Sequence, residues 1–220
     1  MEKIEAMLAD VRAQVEAIEA SLPDGFDIAM LTLNSKIPFK ALSYREALIH
    51  RFSDLSTHAL QAIEVRKPVS SATLTRGCME TMARLFELKG RIERFICDTD
   101  LESIDDFLMN RLFGSRSNPS MPSATNILNC IDKIDQTIPL FRKNYDTLSE
   151  FVHPNYSGTF GTFAKIDRVN LKVKFSDEER VDNMFKVIVP SFAGTIHGFY
   201  VVYDHIGDNI ETMNGILDIS

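Results

Sequence analysis

One apolar seam constrains the fold of this chain more than any other feature. Between Ala124 and His153, large apolar side chains recur at alternating spacings of four and three residues: Ile127, Ile131, Ile134, Ile138, Phe141, Tyr145, Leu148 and Val152. This period places all eight side chains on one helix face, which must be buried against other helices. The seam therefore predicts a buried helix of about eight turns, and Pro139 is expected to kink it.

Four other long segments also have a helical period, and they set the fold class. They are Met1–Ser21, Ala41–Arg66, Ala72–Cys97 and Glu178–Ile206. Shorter helices are expected at Leu101–Phe113 and in the tail that ends at Ile219. Because the links are short, neighbouring helices should run antiparallel. The sequence predicts one mainly all-α domain over residues 1–220, an antiparallel bundle of about five long helices.

The only β signal lies between the last two of these long helices. Phe160–Ile166 and Leu171–Phe175 flank a turn at Asp167–Asn170, and the second arm alternates apolar and basic residues. This pattern predicts a small β-hairpin at about 160–175. A lone hairpin is marginally stable in water, so we expect it to pack on the bundle beside the fourth helix.

Composition narrows the class of protein further. The chain is 45% hydrophobic and 25% charged, which is typical of a globular domain. No apolar run approaches the roughly 18 residues of a membrane span, so no membrane association is expected. The three cysteines are odd in number and widely spaced, which favours a reduced cytoplasmic protein with buried thiols over a disulfide framework. We expect no cofactor.

Charge is spread unevenly along the chain, whose net charge is −7. The segment Arg66–Arg94 carries seven bases and three acids, whereas both ends of the chain are acidic. A basic middle between acidic ends can attract an anion, although a solvated helix face is the simpler interpretation. An acidic chain is not typical of a duplex-DNA-binding protein.

The segment Leu148–Gly158 (LSEFVHPNYSG) is the first candidate site, because it collects polar groups where a long helix must end. A polar stripe runs beside the apolar seam and consists of Arg142, Asp146, Ser149 and His153. The helix dipole favours a charged imidazole in the last turn, so His153 is a candidate general acid or base, with Ser149 as a hydroxyl that it orients or activates. The structural alternative is that His153 caps the helix and Asn155 organises the turn.

Arg76 and Glu80 on the third helix are the second candidate. An arginine four residues before a glutamate is the poorer orientation for helix support, which favours partners on other helices. Helix packing can bring this pair to the helix end that carries His153. We therefore predict His153, Arg76, Glu80 and Ser149 as catalytic residues. The predicted binding residues are Asn155, Tyr156, Arg142, Arg45 and His50.

A third stripe has spacings that could suit a metal ion. Glu46, His50, Asp54 and His58 follow one another at steps of four residues. No second Glu-x-x-His motif completes a di-iron site, so we expect a solvated face and no metal.

The Arg76-x-x-x-Glu80 pair, the Leu-Ser-Glu-Phe-Val-His-Pro-Asn motif (148–155) and the hairpin together resemble uncharacterised bacterial helical proteins similar to the HEPN superfamily. The resemblance covers about residues 74–175. It implies a helical bundle that acts as a metal-independent ribonuclease in toxin–antitoxin or antiphage modules, or that only binds nucleotides or partners. Ribonucleases of that family place an arginine and a histidine a few residues apart and face them across a homodimer. The matching spacings here are Arg45/His50 and Arg51/His58.

Two functions from different classes stay open on the sequence. The first is a homodimeric, cytoplasmic HEPN-like protein of a bacterial defence or toxin module, which cleaves RNA without metal or senses a nucleotide. The second is a non-catalytic interaction or adaptor module, which binds a protein partner encoded by a neighbouring gene through its helical seams and acidic ends.

Overall fold

Helices form most of the chain in the computed structural model, which describes residues 2–123, 125–175 and 178–219. Within these residues the helices are α1 (Glu2–Ala20), α2 (Ile37–Glu64), α3 (Pro68–Asp98), α4 (Leu101–Phe113), α5 (Leu128–Asp135), α6 (Phe141–Val152), α7 (Phe160–Phe163) and α8 (Glu178–Ile219). A 3-10 turn at Ile28–Met30 joins α1 to α2. Two short strands, β1 (Lys165–Asp167) and β2 (Lys172–Lys174), form an antiparallel hairpin between α7 and α8.

The long helices pack side by side, and cross-helix contacts give their directions. Arg51 Nε of α2 donates to Thr81 Oγ1 of α3 over 3.2 Å, and Leu55 lies against Gly77. These two contacts show that α2 and α3 run antiparallel. A three-residue link joins them, and a proline at the first position of α3 costs no backbone hydrogen bond there.

The core is built around α3, which contacts every other helix except α1 and the short α7 closely. Its side chains Met82, Leu85 and Ile92 are fully buried, and Met82 lies against Gly198 of α8. The rings of Phe52 on α2 and Phe199 on α8 stack at 3.7 Å between centroids. Stacked aromatic rings add to the free energy of burial. α3 is therefore the scaffold on which the candidate sites are placed.

The predicted fourth long helix is two helices, and this corrects the sequence interpretation. α5 ends at Asp135 and α6 begins at Phe141. Pro139 lies in this break, where it cannot donate a helical hydrogen bond, and Leu140 adopts a left-handed backbone with φ 73°. The seam still points inward on both helices. The prediction of a buried apolar face is therefore correct, and the prediction of one continuous helix is wrong. Ala124, the predicted first residue, lies outside the described residues.

The last helix is longer than predicted, whereas the fourth was shorter. α8 runs continuously over 42 residues, through Pro190 and on to Ile219. Pro190 is exposed while its neighbours Val189 and Ser191 are buried, so packing holds the helix on both sides of the proline. Among the described helices α8 is also the one long and apolar enough to cross a membrane. Half of its most apolar 18-residue window is buried, and core helices have this composition too.

The hairpin is shorter than predicted, and its strands are mostly exposed. Its register pairs Lys165 with Lys174, Ile166 with Val173 and Asp167 with Lys172. Five of these six residues are exposed. The expected burial beside the fourth helix is therefore wrong, because the predicted first arm folds partly as α7.

The three cysteines are free. Cys78 and Cys130 are buried, whereas Cys97 at the end of α3 is exposed, so the expectation of three buried thiols holds for two of them. Burial raises the pKa of Cys130 to about 11, which keeps its thiol protonated and unreactive at neutral pH.

Candidate functional site

Arg76 and Glu80 lie where α3 meets α6, and they bond to each other and to Tyr145. Glu80 Oε1 accepts hydrogen bonds from Arg76 Nε at 3.1 Å and from the Tyr145 hydroxyl at 2.8 Å. The Arg76 guanidinium also lies 5.5 Å from the centre of the Tyr145 ring. Burial, together with the hydrogen bond to Glu80, raises the pKa of Tyr145 to about 12, so the phenol remains a donor. The sequence predicted that this pair has partners on another helix, and Tyr145 of α6 is such a partner.

The motif at the end of α6 folds as a helix stop followed by a tight turn. His153 is the first residue past the helix, with an extended ψ of 140°, and Pro154 follows it. The Asn155 side chain accepts from Gly158 N over 3.1 Å and closes the turn. A Cβ on Gly158 would come within 2.7 Å of the Phe151 carbonyl oxygen, so only glycine fits there. The structural role foreseen for Asn155 is therefore present.

A cavity of about 660 Å³ follows the outer face of α6, and we name it the α6 groove. Its lining is polar and consists of Asp135, Leu140, Arg142, Lys143, Asp146, Thr147, Ser149, Glu150 and His153. Three carboxylates stand against two permanent cations. The groove therefore does not carry the strong positive charge that favours a phosphate chain.

Arg142, the permanent cation predicted to bind a ligand in this groove, is held by carboxylates of the chain itself. Its Nε lies 2.9 Å from Asp146 Oδ1, and its Nη1 lies 2.5 Å from Asp132 Oδ1. Its backbone N–H also donates to Asp135 over 2.9 Å. The hydrogen bonds that Arg142 donates to Asp146 and Asp132 raise its pKa. These contacts fasten α6 to α5 across the break between them.

The structure brings some of the predicted catalytic residues together and separates others. His153 and Ser149 line the same groove, and His153 is exposed. The Ser149 hydroxyl donates to the Tyr145 carbonyl oxygen over 2.9 Å, so it is directed to its own helix. Within the described residues, neither Arg76 nor Glu80 lines the α6 groove. The four residues do not form one cluster in this single chain.

The second predicted pair, Arg45 and His50, is separated on α2. Arg45 stacks on the Tyr203 ring of α8, 3.5 Å from its centre, and its Nη1 lies 2.5 Å from Glu46 Oε1. His50 Nε2 instead contacts the Pro23 carbonyl oxygen at 3.0 Å. Glu46 also accepts a hydrogen bond from the Tyr203 hydroxyl of α8, so it is not free to serve the stripe that suggested a metal site. Among the residues described, no group of three or more His, Cys, Asp or Glu side chains has metal-binding geometry.

Tyr156, the last predicted binding residue, is exposed on the turn. Its ring lies 6.4 Å from that of Phe160 and is 66% exposed. It belongs to an apolar surface that is described below.

Sequence reasoning missed a buried charge network at the contact of α3, α4 and α5. Arg111 of α4 donates to both oxygens of Glu87, over 2.9 and 2.8 Å, and Arg84 approaches the same carboxylate at 3.2 Å. Burial alone would raise the pKa of Glu87, but the bonds from Arg111 and its charge lower it. The Arg84/Glu87 spacing was visible in the sequence. Arg111 was not foreseen, because its partner is 24 residues away.

The segment between α6 and α8 is held by a few inward groups. Thr162 and Ala164 are buried, and Thr162 Oγ1 contacts the Ser157 carbonyl and the Met184 sulfur. Arg180 of α8 donates to the Ala164 carbonyl oxygen over 2.5 Å. These contacts fix the base of the hairpin to α8 and leave its outer face open.

The turn and hairpin that follow α6 expose large apolar side chains. Eight of them are between 39% and 90% exposed: Tyr156, Phe160, Phe163, Ile166, Val169, Leu171, Val173 and Phe175. We name these eight residues the hairpin surface. A run of exposed apolar side chains of this kind is typical of an interaction site.

Comparisons with known proteins give no relative on which to base a function. No family model matches the chain, and neither a curated protein nor a solved structure matches it significantly. The candidate sites therefore have to be judged by their own geometry.

Proposed function

We propose that this protein is a non-catalytic interaction module, and that its hairpin surface binds a second copy of the chain. The observation that carries the proposal is the set of eight exposed apolar side chains on one short segment. Burying such side chains contributes about 25 cal/mol per Å² of apolar area. The first function suggested by the sequence, catalysis by a joint Arg76/Glu80/His153 cluster, has less support because neither Arg76 nor Glu80 lines the groove that contains His153.

The backbone at the tip of the hairpin supports a role in contact and not in folding. Leu171 is 90% exposed and has φ 50°, a left-handed conformation. This conformation costs a non-glycine residue about 1–2 kcal/mol, and asparagine adopts it more easily. Because Leu171 is strained and buries little within its own chain, the fold gains nothing from leucine there. Val169, on the same turn, is also 90% exposed.

Charge complementarity supports a second copy as the occupant. Residues 160–175 carry four bases and one acid, a net charge of +3. Since the whole chain carries −7, the remainder carries −10. The basic hairpin of one copy and the acidic remainder of another therefore carry opposite net charges, and opposite potentials favour association.

The test is the mass of the full chain in solution. We expect light scattering to give a dimer for the wild type and a monomer for the double variant Val169→Ser/Leu171→Asn. The variant should melt at the same temperature or higher as a monomer, because asparagine relieves the left-handed strain. Leu33→Asn is the matched control, since Leu33 is 89% exposed in a loop outside the hairpin, and it should remain dimeric.

A monomeric wild type at high concentration would contradict the second copy as occupant. Binding of that monomer to vesicles containing anionic lipid, lost in the double variant, would assign the surface to a membrane instead. Co-purification of a defined partner encoded nearby, again lost only in the double variant, would assign it to a heteromeric adaptor.

The second candidate is the metal-independent ribonuclease implied by the resemblance to the HEPN superfamily. One observation favours it: His153 is exposed in the α6 groove, where Lys143 also lies. In this proposal His153 transfers the proton and a cation stabilises phosphoryl charge. Cytoplasmic location and a place in a bacterial defence module belong to the same proposal.

Incubation of the full chain with total RNA in EDTA tests this candidate. We expect cleavage by the wild type, at least a hundredfold slower cleavage by His153→Ala, and unchanged cleavage by His197→Ala, which removes an exposed histidine of α8. Absence of cleavage, or equal rates for the wild type and His153→Ala, would exclude the ribonuclease.

A further inference from the structure

A second groove lies on the basic helix α3, and its lining shares no residue with the hairpin surface or the α6 groove. It has a volume of about 270 Å³. Its lining consists of Phe86, Glu87, Gly90, Arg91, Arg94 and Lys133. Five of these residues share one face of α3, and Lys133 reaches the groove from α5. We name it the α3 groove.

The one acid in this lining is already neutralised. Glu87 is bound by both donor nitrogens of Arg111 and approached by Arg84, and its side chain is only 8% exposed. Two arginines thus surround one carboxylate. Its negative charge is screened from the groove and does not oppose an incoming anion.

The cationic side chains of the groove can bind an anionic ligand. Arg91 lies 5.2 Å from the centre of the Phe107 ring, which orients its guanidinium. Neither Arg91 nor Lys133 forms an ion pair with any described residue. Arg94 shares its charge with Asp98 at 3.0 Å. A positioned guanidinium beside a lysine is a typical donor set for phosphate oxygens.

Gly90 keeps the floor of the groove open. A Cβ at this position would meet no atom within 4 Å, so close packing does not require glycine. Glycine inside a helix costs about 1 kcal/mol relative to alanine. The fold therefore carries a helix-weakening residue in the lining of the groove, where a larger side chain would take up space.

We propose that the α3 groove binds a nucleotide phosphate, with the phosphate on Arg91 and Lys133 and the base against the partly exposed ring of Phe86. The volume is near the lower end of small-ligand pockets, which suits one nucleotide unit. Base-on-aromatic stacking combined with guanidinium contacts recurs in nucleotide recognition. The same chemistry is offered by a free mononucleotide and by a nucleotide within single-stranded RNA.

Titration of the full chain with three probes distinguishes the sources: adenosine monophosphate, inorganic phosphate and a short single-stranded RNA. We expect adenosine monophosphate to bind more tightly than phosphate, because phosphate cannot stack on Phe86. Arg91→Gln and Lys133→Gln should each weaken binding about tenfold. Lys186→Gln, which removes an exposed lysine of α8, should leave it unchanged.

Gly90→Leu is the decisive variant. It should abolish binding while the melting temperature stays equal or rises, since leucine favours the helix. Tighter binding of the RNA than of the mononucleotide, with the same dependence on Gly90, would assign the groove to RNA. The proposal is overturned if none of the probes binds at millimolar concentration, or if Arg91→Gln, Lys133→Gln and Gly90→Leu all bind like the wild type. Because none of these residues lies in the hairpin surface, failure here leaves the dimer test unaffected.

Discussion

At the scale of single residues, the glutamates of the helix interfaces serve mainly to join helices. Glu80 accepts from Tyr145 on α6, Glu46 accepts from Tyr203 on α8 at 2.5 Å, and Glu87 accepts from an arginine on α4. Each of these carboxylates also bonds an arginine. The bonds between helices therefore give these glutamates their role.

Removal of Arg111 should destabilise the chain strongly. Arg111 and Glu87 have side chains 9% and 8% exposed, so Arg111→Met leaves a buried carboxylate with only Arg84 beside it. Breaking a buried pair in this way costs about 3 kcal/mol. Urea denaturation of the variant measures this cost. Arg12→Met, which removes an exposed pair with Glu64, should have a much smaller effect because solvent screens the pair; equal effects would contradict the network.

The same carboxylate predicts how stability depends on pH. Because the folded pKa of Glu87 is below its ordinary value, its contribution is fully present above the ordinary carboxyl pKa and is lost as pH falls through the lowered value. We expect the free energy of unfolding to decrease between about pH 5 and pH 3. Glu87→Gln should show a shallower decrease over that range, measured by urea denaturation at each pH. An unchanged slope would contradict the role given to Glu87.

At the scale of helices and strands, the apolar period predicted which faces are buried better than it predicted where elements end. Tyr145 and Leu148 point inward as the seam requires. The break before Phe141 depends on the left-handed backbone of Leu140, a conformation that periodicity does not encode. The predicted start of the hairpin was wrong for a related reason. The apolar residues of Phe160–Phe163 suit a short helix as well as a strand, so the pattern did not distinguish the two. Candidate residues on one helix were placed correctly, whereas their neighbours across helices were not.

The proline inside α8 gives a test at this scale. Pro190 removes a backbone donor from the middle of a helix, which costs about 3 kcal/mol relative to alanine in an isolated helix. Since Pro190 is exposed and its helix continues on both sides, Pro190→Ala should raise the free energy of unfolding by about 1–3 kcal/mol. Pro68→Ala should not stabilise, because Pro68 begins α3 and its ring is buried. Chemical denaturation of both variants decides this, and a destabilised Pro190→Ala would show that the proline is needed for the packing of α8.

At the scale of the whole molecule, charge and apolar surface are distributed in a way that local motifs did not reveal. The sequence identified a basic middle and acidic ends, and the α3 groove lies on that basic middle. It did not identify the hairpin as an exposed apolar surface, because the hairpin was expected to pack. The proposed contact therefore combines two terms with opposite responses to salt: apolar burial is strengthened by excluded salts, while charge attraction is screened.

Salt dependence separates these two terms. Screening lengths fall from about 10 Å at 0.1 M to about 3 Å at 1 M salt, so a contact between the basic hairpin and acidic surface should weaken. We expect the dimer dissociation constant, measured by sedimentation, to rise about tenfold over this range, as for the loss of two exposed ion pairs. Arg168→Gln/Lys172→Gln should weaken the dimer at low salt and remove most of the dependence, whereas Lys186→Gln should retain it. A dimer that tightens with sodium chloride would show that the apolar side chains act alone, and that the acidic surface of the second copy does not face the hairpin.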